Sequence, residues 1–208
     1  MPDIFAVVFG NMADLHLTGT DDLLLWDLFR KGDEPAFAEL SRRHYRKLVH
    51  YGRKFCPNAA LIENTIQEVL IYLWVQRERL GSTSSVRHYL LKSFRHELLR
   101  ALHRQNPTVE WTEQWDHLHA EGSREDLLIV SEEESEAMSR LSALLEQLPA
   151  RQREILYLRY YQDLGPEEIA QLLDMKPQSV SNSLYRSLST LRENWPAALS
   201  VLLNLLFQ

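Results

Sequence analysis

Residues 148–191, LPARQREILYLRYYQDLGPEEIAQLLDMKPQSVSNSLYRSLSTL, constrain the chain more than any other stretch. Ile155, Leu156, Leu158 and Tyr161 recur at three- and four-residue intervals, as do Ile169, Leu172 and Leu173, so each segment has one apolar helical face. Pro166 suits a first helical turn, where its missing N–H costs nothing, and Glu167 and Glu168 sit where the helix dipole favours negative charge. Asp174 and Met175 form a short break, and Pro177 opens a new helix with Val180, Leu184, Leu188 and Leu191 at helical spacing. The stretch therefore reads as four helices ending in a helix-turn-helix, a motif that sets one helix in a DNA groove. With Val180 and Leu184 inward, the outward face carries Gln178, Ser179, Ser181, Asn182, Tyr185 and Arg186, side chains able to meet base edges or phosphates. The alternative is a plain helical hairpin whose polar face is only solvated.

The chain has 208 residues, 45% of them apolar, with few glycines and prolines and little strand-like alternation, which predicts an all-α protein of two small helical domains. A single cysteine, Cys56, cannot staple a domain and fits a reducing compartment, the cytoplasm, as a buried small hydrophobe. No stretch reaches the roughly 20 apolar residues that span a bilayer, so no membrane insertion is expected. The opening MPDIFAVVFGNM lacks a basic segment before its apolar run and does not resemble a secretory signal.

The net charge of −6 is unevenly distributed: −5 over residues 1–36, +8 over 37–104, −8 over 105–140 and −1 over 141–208. The predicted organisation is an N-terminal extension (1–20), a helical domain (21–105), an acidic linker (106–138), a second helical domain (139–195) and an apolar tail (196–208). Within the first domain, helices are predicted at 22–31, 34–55, 61–79 and 85–103, punctuated by Gly32, Pro57 and Gly81. In the basic block, Arg42, Arg43, Arg46, Lys47, Arg53 and Lys54 lie on one helix and Arg87, Lys92, Arg95, Arg100 and Arg104 on another, with Tyr89, Phe94 and five histidines among them. Cations and rings together suit single-stranded nucleic acid; the competing reading is a solvated basic face with its aromatics in the core. The linker is either a solvated spacer or an acidic mimic of nucleic acid held in a basic channel. His117 and His119 have no cysteine near them and are expected to be solvated rather than metal-binding. The tail, with Leu199, Leu202, Leu203, Leu206 and Phe207, either packs on the last domain or offers a docking surface.

Two blocks in this order resemble the sigma-70 family of bacterial RNA polymerase initiation factors, specifically its two-domain extracytoplasmic-function group. The first comprises FRKGDEPAF at 29–37, Tyr45 and QEVLIYLW at 67–74, similar to region 2; the second, 148–192, is similar to region 4. The resemblance implies that Asn64, Gln67, Glu68, Leu73 and Trp74 grip the clamp helices of the polymerase β′ subunit, with region 4 near the β flap. It further implies that the loop 80–85 and the following helix hold the minus-ten element through Ser82, Thr83, Ser84, Arg87, His88, Tyr89, Lys92, Arg95, His96 and Arg100, capturing a flipped base. Flipping costs a few kcal/mol, which stacking and phosphate contacts must offset. Gln178, Ser179, Ser181, Asn182, Tyr185 and Arg186 would then read the minus-thirty-five element, where resemblance and spacing agree.

The chain departs from the family pattern in places. Asp174 stands where a glycine is usual at the turn, Lys176 where a capping serine is usual, and Ser181 and Ser183 where relatives are often basic. Asn64 replaces a frequent aspartate. The leading expectation is a promoter-specificity subunit with no catalytic residues, cofactor or metal. A second reading is a sigma-like factor brought to its sites by another DNA-bound protein, or held by an anti-sigma factor. A third is a helix-turn-helix regulator that never meets polymerase. No glycine-rich phosphate loop or metal-ligand spacing supports an enzyme. Each missing phosphate contact weakens binding and flattens its salt dependence, so the isolated region 4 segment is expected to bind duplex DNA weakly. A salt titration checks this, and tight, steeply salt-dependent binding would refute it.

Overall fold

In the computed structural model, residues 19–105 and 140–194 are described, and all of their regular structure is helical. The chain divides into two compact units, 1–108 and 109–208. Apart from residues 19 and 20, the N-terminal extension lies outside the described residues, as do the acidic linker with His117 and His119, and the apolar tail. No described helix is long and apolar enough to cross a membrane.

The first unit contains α1 (Asp22–Arg30), α2 (Glu34–Gly52), α3 (Ala59–Gln76), a 3-10 turn (Arg77–Arg79) and α4 (Val86–Gln105). Glycine and capping side chains set the boundaries. Gly32, at φ 95°, closes α1 by donating its N–H to the Phe29 carbonyl, a left-handed conformation that favours glycine. Asp33 caps α2 by accepting from the Ala36 N–H at 2.8 Å, Asn58 caps α3 from Leu61 at 3.1 Å, and the Ser85 hydroxyl accepts from His88 at 3.2 Å at the start of α4. These caps place each boundary within three residues of the predicted one.

Ile62, Ile66, Val69, Leu70 and Leu73 form the buried stripe of α3, and Leu90, Leu91, Phe94, Leu98 and Leu102 that of α4. At Gly52 the helices approach so closely that a Cβ would lie 2.9 Å from Ile62 Cγ2 and 3.0 Å from Phe94 Cζ. A run of aromatic rings joins all four helices. Tyr89 lies 4.9 Å from Trp26, which meets Phe29 at 5.3 Å; Phe29 stacks on Phe37 at 4.9 Å, and Phe37 meets Trp74 at 5.2 Å.

A polar cluster ties α1 to α2. The Arg43 guanidinium donates to Asp22 (2.8 Å), Glu39 (2.7 Å) and the Thr20 carbonyl (2.6 Å), and Arg42 forks onto the same Glu39. Burial alone would raise the Asp22 carboxyl, but hydrogen bonds and charge from Arg43 and His44 outweigh it and hold it below the usual range. Hydrogen bonding from Arg42 likewise holds the Glu39 carboxyl low. His44 Nε2 lies 2.8 Å from Asp22, and burial lowers its pKa against the opposing charge and hydrogen bond of Asp22.

The second unit contains a helical segment at 140–146, α5 (Ala150–Tyr160), α6 (Pro166–Leu173) and α7 (Pro177–Asn194). The stretch 148–191 thus holds three helices rather than the expected four, because the fourth precedes Pro149. Leu148, Leu156 and Leu191 form a core cluster with Leu144, Leu145, Tyr160, Leu184 and Leu188 packed against it. Glu168 accepts the Gly165 N–H at 2.9 Å, satisfying a donor at the start of α6. Arg151 donates to the Leu173 carbonyl at 2.7 Å, and buried Ser187 donates to Gln152 at 3.1 Å, fastening α5 to both helices of the pair. Asp174 adopts the left-handed conformation, φ 53° and ψ 47°, as the departure from glycine leads one to expect.

Two outcomes follow from these features. His50 is pushed down to about 4 by burial and by the charges of Lys54, Arg53 and Arg46. Between pH 6.5 and about 4 the unfolded chain takes up a proton that the folded ring refuses, so stability falls as the pH falls through that window. Below it, protonation of Asp22 and Glu39 removes their contribution as well. Unfolding followed against pH should show this loss, and His50→Gln should flatten its upper part; an unchanged slope would contradict the assignment. Replacing Asp174 by glycine relieves the left-handed strain and should stabilise the second unit by about 0.5–1 kcal/mol, whereas Asp174→Ala should destabilise it, both read from its unfolding midpoint.

Candidate nucleic-acid and protein interfaces

Helix α3 has two faces of different character. Its core stripe includes Leu73, 1% exposed, which corrects the expectation that Leu73 lies on a binding surface: it follows Ile66, Val69 and Leu70 at helical spacing and faces inward. Trp74 is half-buried, its ring between Phe37 and the Arg77 guanidinium, which lies 4.7 Å from the ring centroid. Gln67 is half-buried, and Asn64 and Glu68 are exposed. They continue into a surface that the sequence reading missed, with Ile71 41%, Tyr72 60% and Val75 60% exposed. Positions 64, 68, 71, 72 and 75 follow the three- and four-residue helical spacing, which could have revealed the stripe once the core-facing positions were assigned. An apolar stripe on solvent is the usual mark of a protein contact.

Beyond α3 the loop at 80–85 exposes Ser82 and Ser84, with Thr83 half-buried. Thr83 Oγ1 donates to the Ser85 carbonyl at 3.1 Å and lies 3.2 Å from the Ser85 N–H it accepts, a local turn that leads into α4. On α4, Lys92, His96 and Arg100 are exposed, and Arg87, His88, Tyr89 and Arg95 are half-buried. Arg100 and Arg104 each lie 3.6 Å from Glu97. Phe94 is fully buried and contributes no ring to the surface, so of the two aromatics expected there only Tyr89 remains partly accessible.

The positive block registers on its own histidines. Burial lowers His44 against the opposing charge and hydrogen bond of Asp22, with smaller contributions from Lys47 and Arg87, and burial and three neighbouring cations lower His50. Arg42 and Arg43, expected to belong to the basic face, are instead held by Glu39, and Arg43 also by Asp22, so much of their charge is met within the fold.

In the second unit, all six residues expected on the reading face of α7 are exposed: Gln178, Ser179, Ser181, Asn182, Tyr185 and Arg186. Gln178 donates to Asn182 at 3.1 Å, one turn along, and Tyr185 is 75% exposed. Val180 is fully buried and Leu184 packs on the leucine cluster, so the inward and outward faces divide as the spacing predicts. The Lys176 carbonyl accepts the N–H groups of Ser179 and Val180 at 2.9 and 3.2 Å as α7 begins.

No curated protein sequence matches the chain. Among solved structures, that of CnrH in complex with the cytosolic domain of CnrY is similar, with a TM-score of 0.54, 18% identity, and coverage of 85% of this chain and 97% of that one. At such identity the likeness concerns the fold. Family descriptions are more specific: "Sigma-70 region 2" matches residues 40–108 and "Sigma-70, region 4" matches residues 138–191. Two regions of one family, in their expected order and together covering more than half of the sequence, establish that the chain belongs to the sigma-70 family of transcription initiation factors.

Proposed function

We propose that this chain binds core RNA polymerase, directs it to specific promoters and assists their melting, as a cytoplasmic factor of the extracytoplasmic-function type. The observation that carries the reading is the exposed α3 stripe, Asn64, Glu68, Ile71, Tyr72 and Val75, in the same unit as the polar loop 80–85 and the basic helix α4. The stripe is the surface for the β′ clamp helices, with Gln67 and Trp74 at its margin and Leu73 supporting it from behind. Ser82, Thr83 and Ser84 hold a flipped minus-ten base, and Arg87, His88, Tyr89, Lys92, Arg95, His96 and Arg100 meet the adjoining strand. Cations neutralise phosphates and a partly accessible ring supports an unstacked base, so the opened state is bound better than the duplex. The exposed face of α7 reads the minus-thirty-five element, its unit reaching the β flap.

A second reading rests on one feature of that helix: Arg186 and Arg192 are the positive charges it carries, which limits contact with phosphates. On this reading another DNA-bound protein supplies the address. CnrH is captured with the cytosolic domain of CnrY, and a protein partner, of the anti-sigma kind, is a further reading consistent with the exposed apolar stripe.

Transcription with core polymerase, this chain and a library of promoter DNA, followed by sequencing of the starts, tests the proposal. Initiation from a shared two-part motif is the expected result. Binding of polymerase without initiation favours recruitment by another protein. Tyr72→Ala, which leaves the core intact, should weaken polymerase affinity about tenfold; full activity of this variant and of Trp74→Ala would instead point to a regulator that never meets polymerase.

A further inference from the structure

The loop at 80–85 is gripped from a part of the chain that precedes the region 2 match at 40–108. Trp26 Nε1 donates to the Gly81 carbonyl at 3.1 Å, and Arg30 Nε donates to the Leu80 carbonyl at 2.7 Å. Both donors stand on α1, one turn apart, more than fifty residues from Gly81 and fifty from Leu80. Trp26 is 1% exposed, so its indole N–H requires a partner within the protein, and the partner is the loop backbone. The same indole ring packs on Tyr89 of α4 at 4.9 Å. One side chain therefore fixes both where the loop leaves α3 and where the first accessible ring beyond it stands.

The far end of the loop is closed independently, by the Thr83 turn and by the Ser85 cap on His88. Two consecutive carbonyls held at one end and the Thr83 turn with a capped helix start at the other leave Ser82 and Ser84 exposed to meet a ligand. A short polar loop without such anchors would sample many conformations and lose the ordering free energy again on each binding event.

We infer that Trp26 and Arg30 are positioning residues for base selection: they touch no DNA themselves but hold the 80–85 loop in the form that discriminates the flipped minus-ten base. This rests on the reading of that loop given under Proposed function. The pair acts on the ratio of affinities for right and wrong bases, and the α3 stripe that meets polymerase is left as it is.

The test uses holoenzyme reassembled from core polymerase and the full chain. Single-stranded oligonucleotides carrying the minus-ten element, as found from the transcription starts, are bound with the preferred base at the flipped position and with each of the other three. Trp26→Phe keeps a ring against Tyr89 and removes the donor; Arg30→Met keeps the aliphatic stem and removes the guanidinium. Each is expected to lower the discrimination ratio about fivefold, the scale of one lost hydrogen bond, while affinity for core polymerase changes little; the unfolding midpoint falls in Trp26→Phe, whose smaller ring leaves a cavity, and changes little in Arg30→Met. Arg30 is partly exposed, so its variant reports even if the tryptophan change disturbs folding. A ratio unchanged in both variants overturns the inference. A triple change of Ser82, Thr83 and Ser84 to alanine separates the two levels. If it lowers the ratio while the α1 variants do not, only the positioning role fails; if it leaves the ratio intact, the loop reads no base and both fail.

Discussion

Everything described in the first unit depends on the contact of five aromatic rings across four helices. Tyr89, Trp26, Phe29, Phe37 and Trp74 run from α4 through α1 and α2 to α3, and the Arg77 guanidinium covers the outer end at Trp74. Rings of this size bury large areas and prefer a few relative orientations, so they fix helix positions more tightly than aliphatic packing of equal extent. The candidate surfaces sit at the ends of this run. Trp74 underlies the exposed α3 stripe, and Tyr89 stands beside the polar loop.

Charge is used in two ways within the same unit. Around Glu39 and Asp22, opposite charges meet at hydrogen-bonding distance and serve to join α1 and α2. Around the end of α2, burial first and then the charges of Lys54, Arg53 and Arg46 push the His50 pKa down.

Much of this was legible in the sequence because the elements concerned obey local rules. Pro166 and Pro177 mark helix starts as first-turn prolines, and Val180 and Leu184 divide α7 into faces by periodicity alone. The all-helical architecture and the six exposed positions on α7 emerged in this way. What escaped was tertiary. Leu73 and Phe94 belong to motifs whose residue types invite a surface role, but their register on α3 and α4 places them inside. Arg42 and Arg43 read as free cations in a list of charges, and only folding brings Asp22 beside Arg43. The exposed Ile71, Tyr72 and Val75 look like core residues until the opposite face of α3 is seen to be full. Hydrogen bonds from Trp26 and Arg30 to carbonyls fifty or more residues away leave no trace in any local pattern.

The grip of α1 on the 80–85 loop bears on how such a chain can change by inheritance. The region 2 family match spans residues 40–108 and begins after α1 has ended. A recombination event at that boundary would carry the loop and the basic helix into a new gene while leaving Trp26 and Arg30 behind. The transferred loop would then meet an N-terminal helix selected alongside a different sequence. The smallest segment able to move with its loop geometry intact is therefore longer than the stretch 40–108, and lineages that exchange loops successfully should be those that exchange the first helix with them.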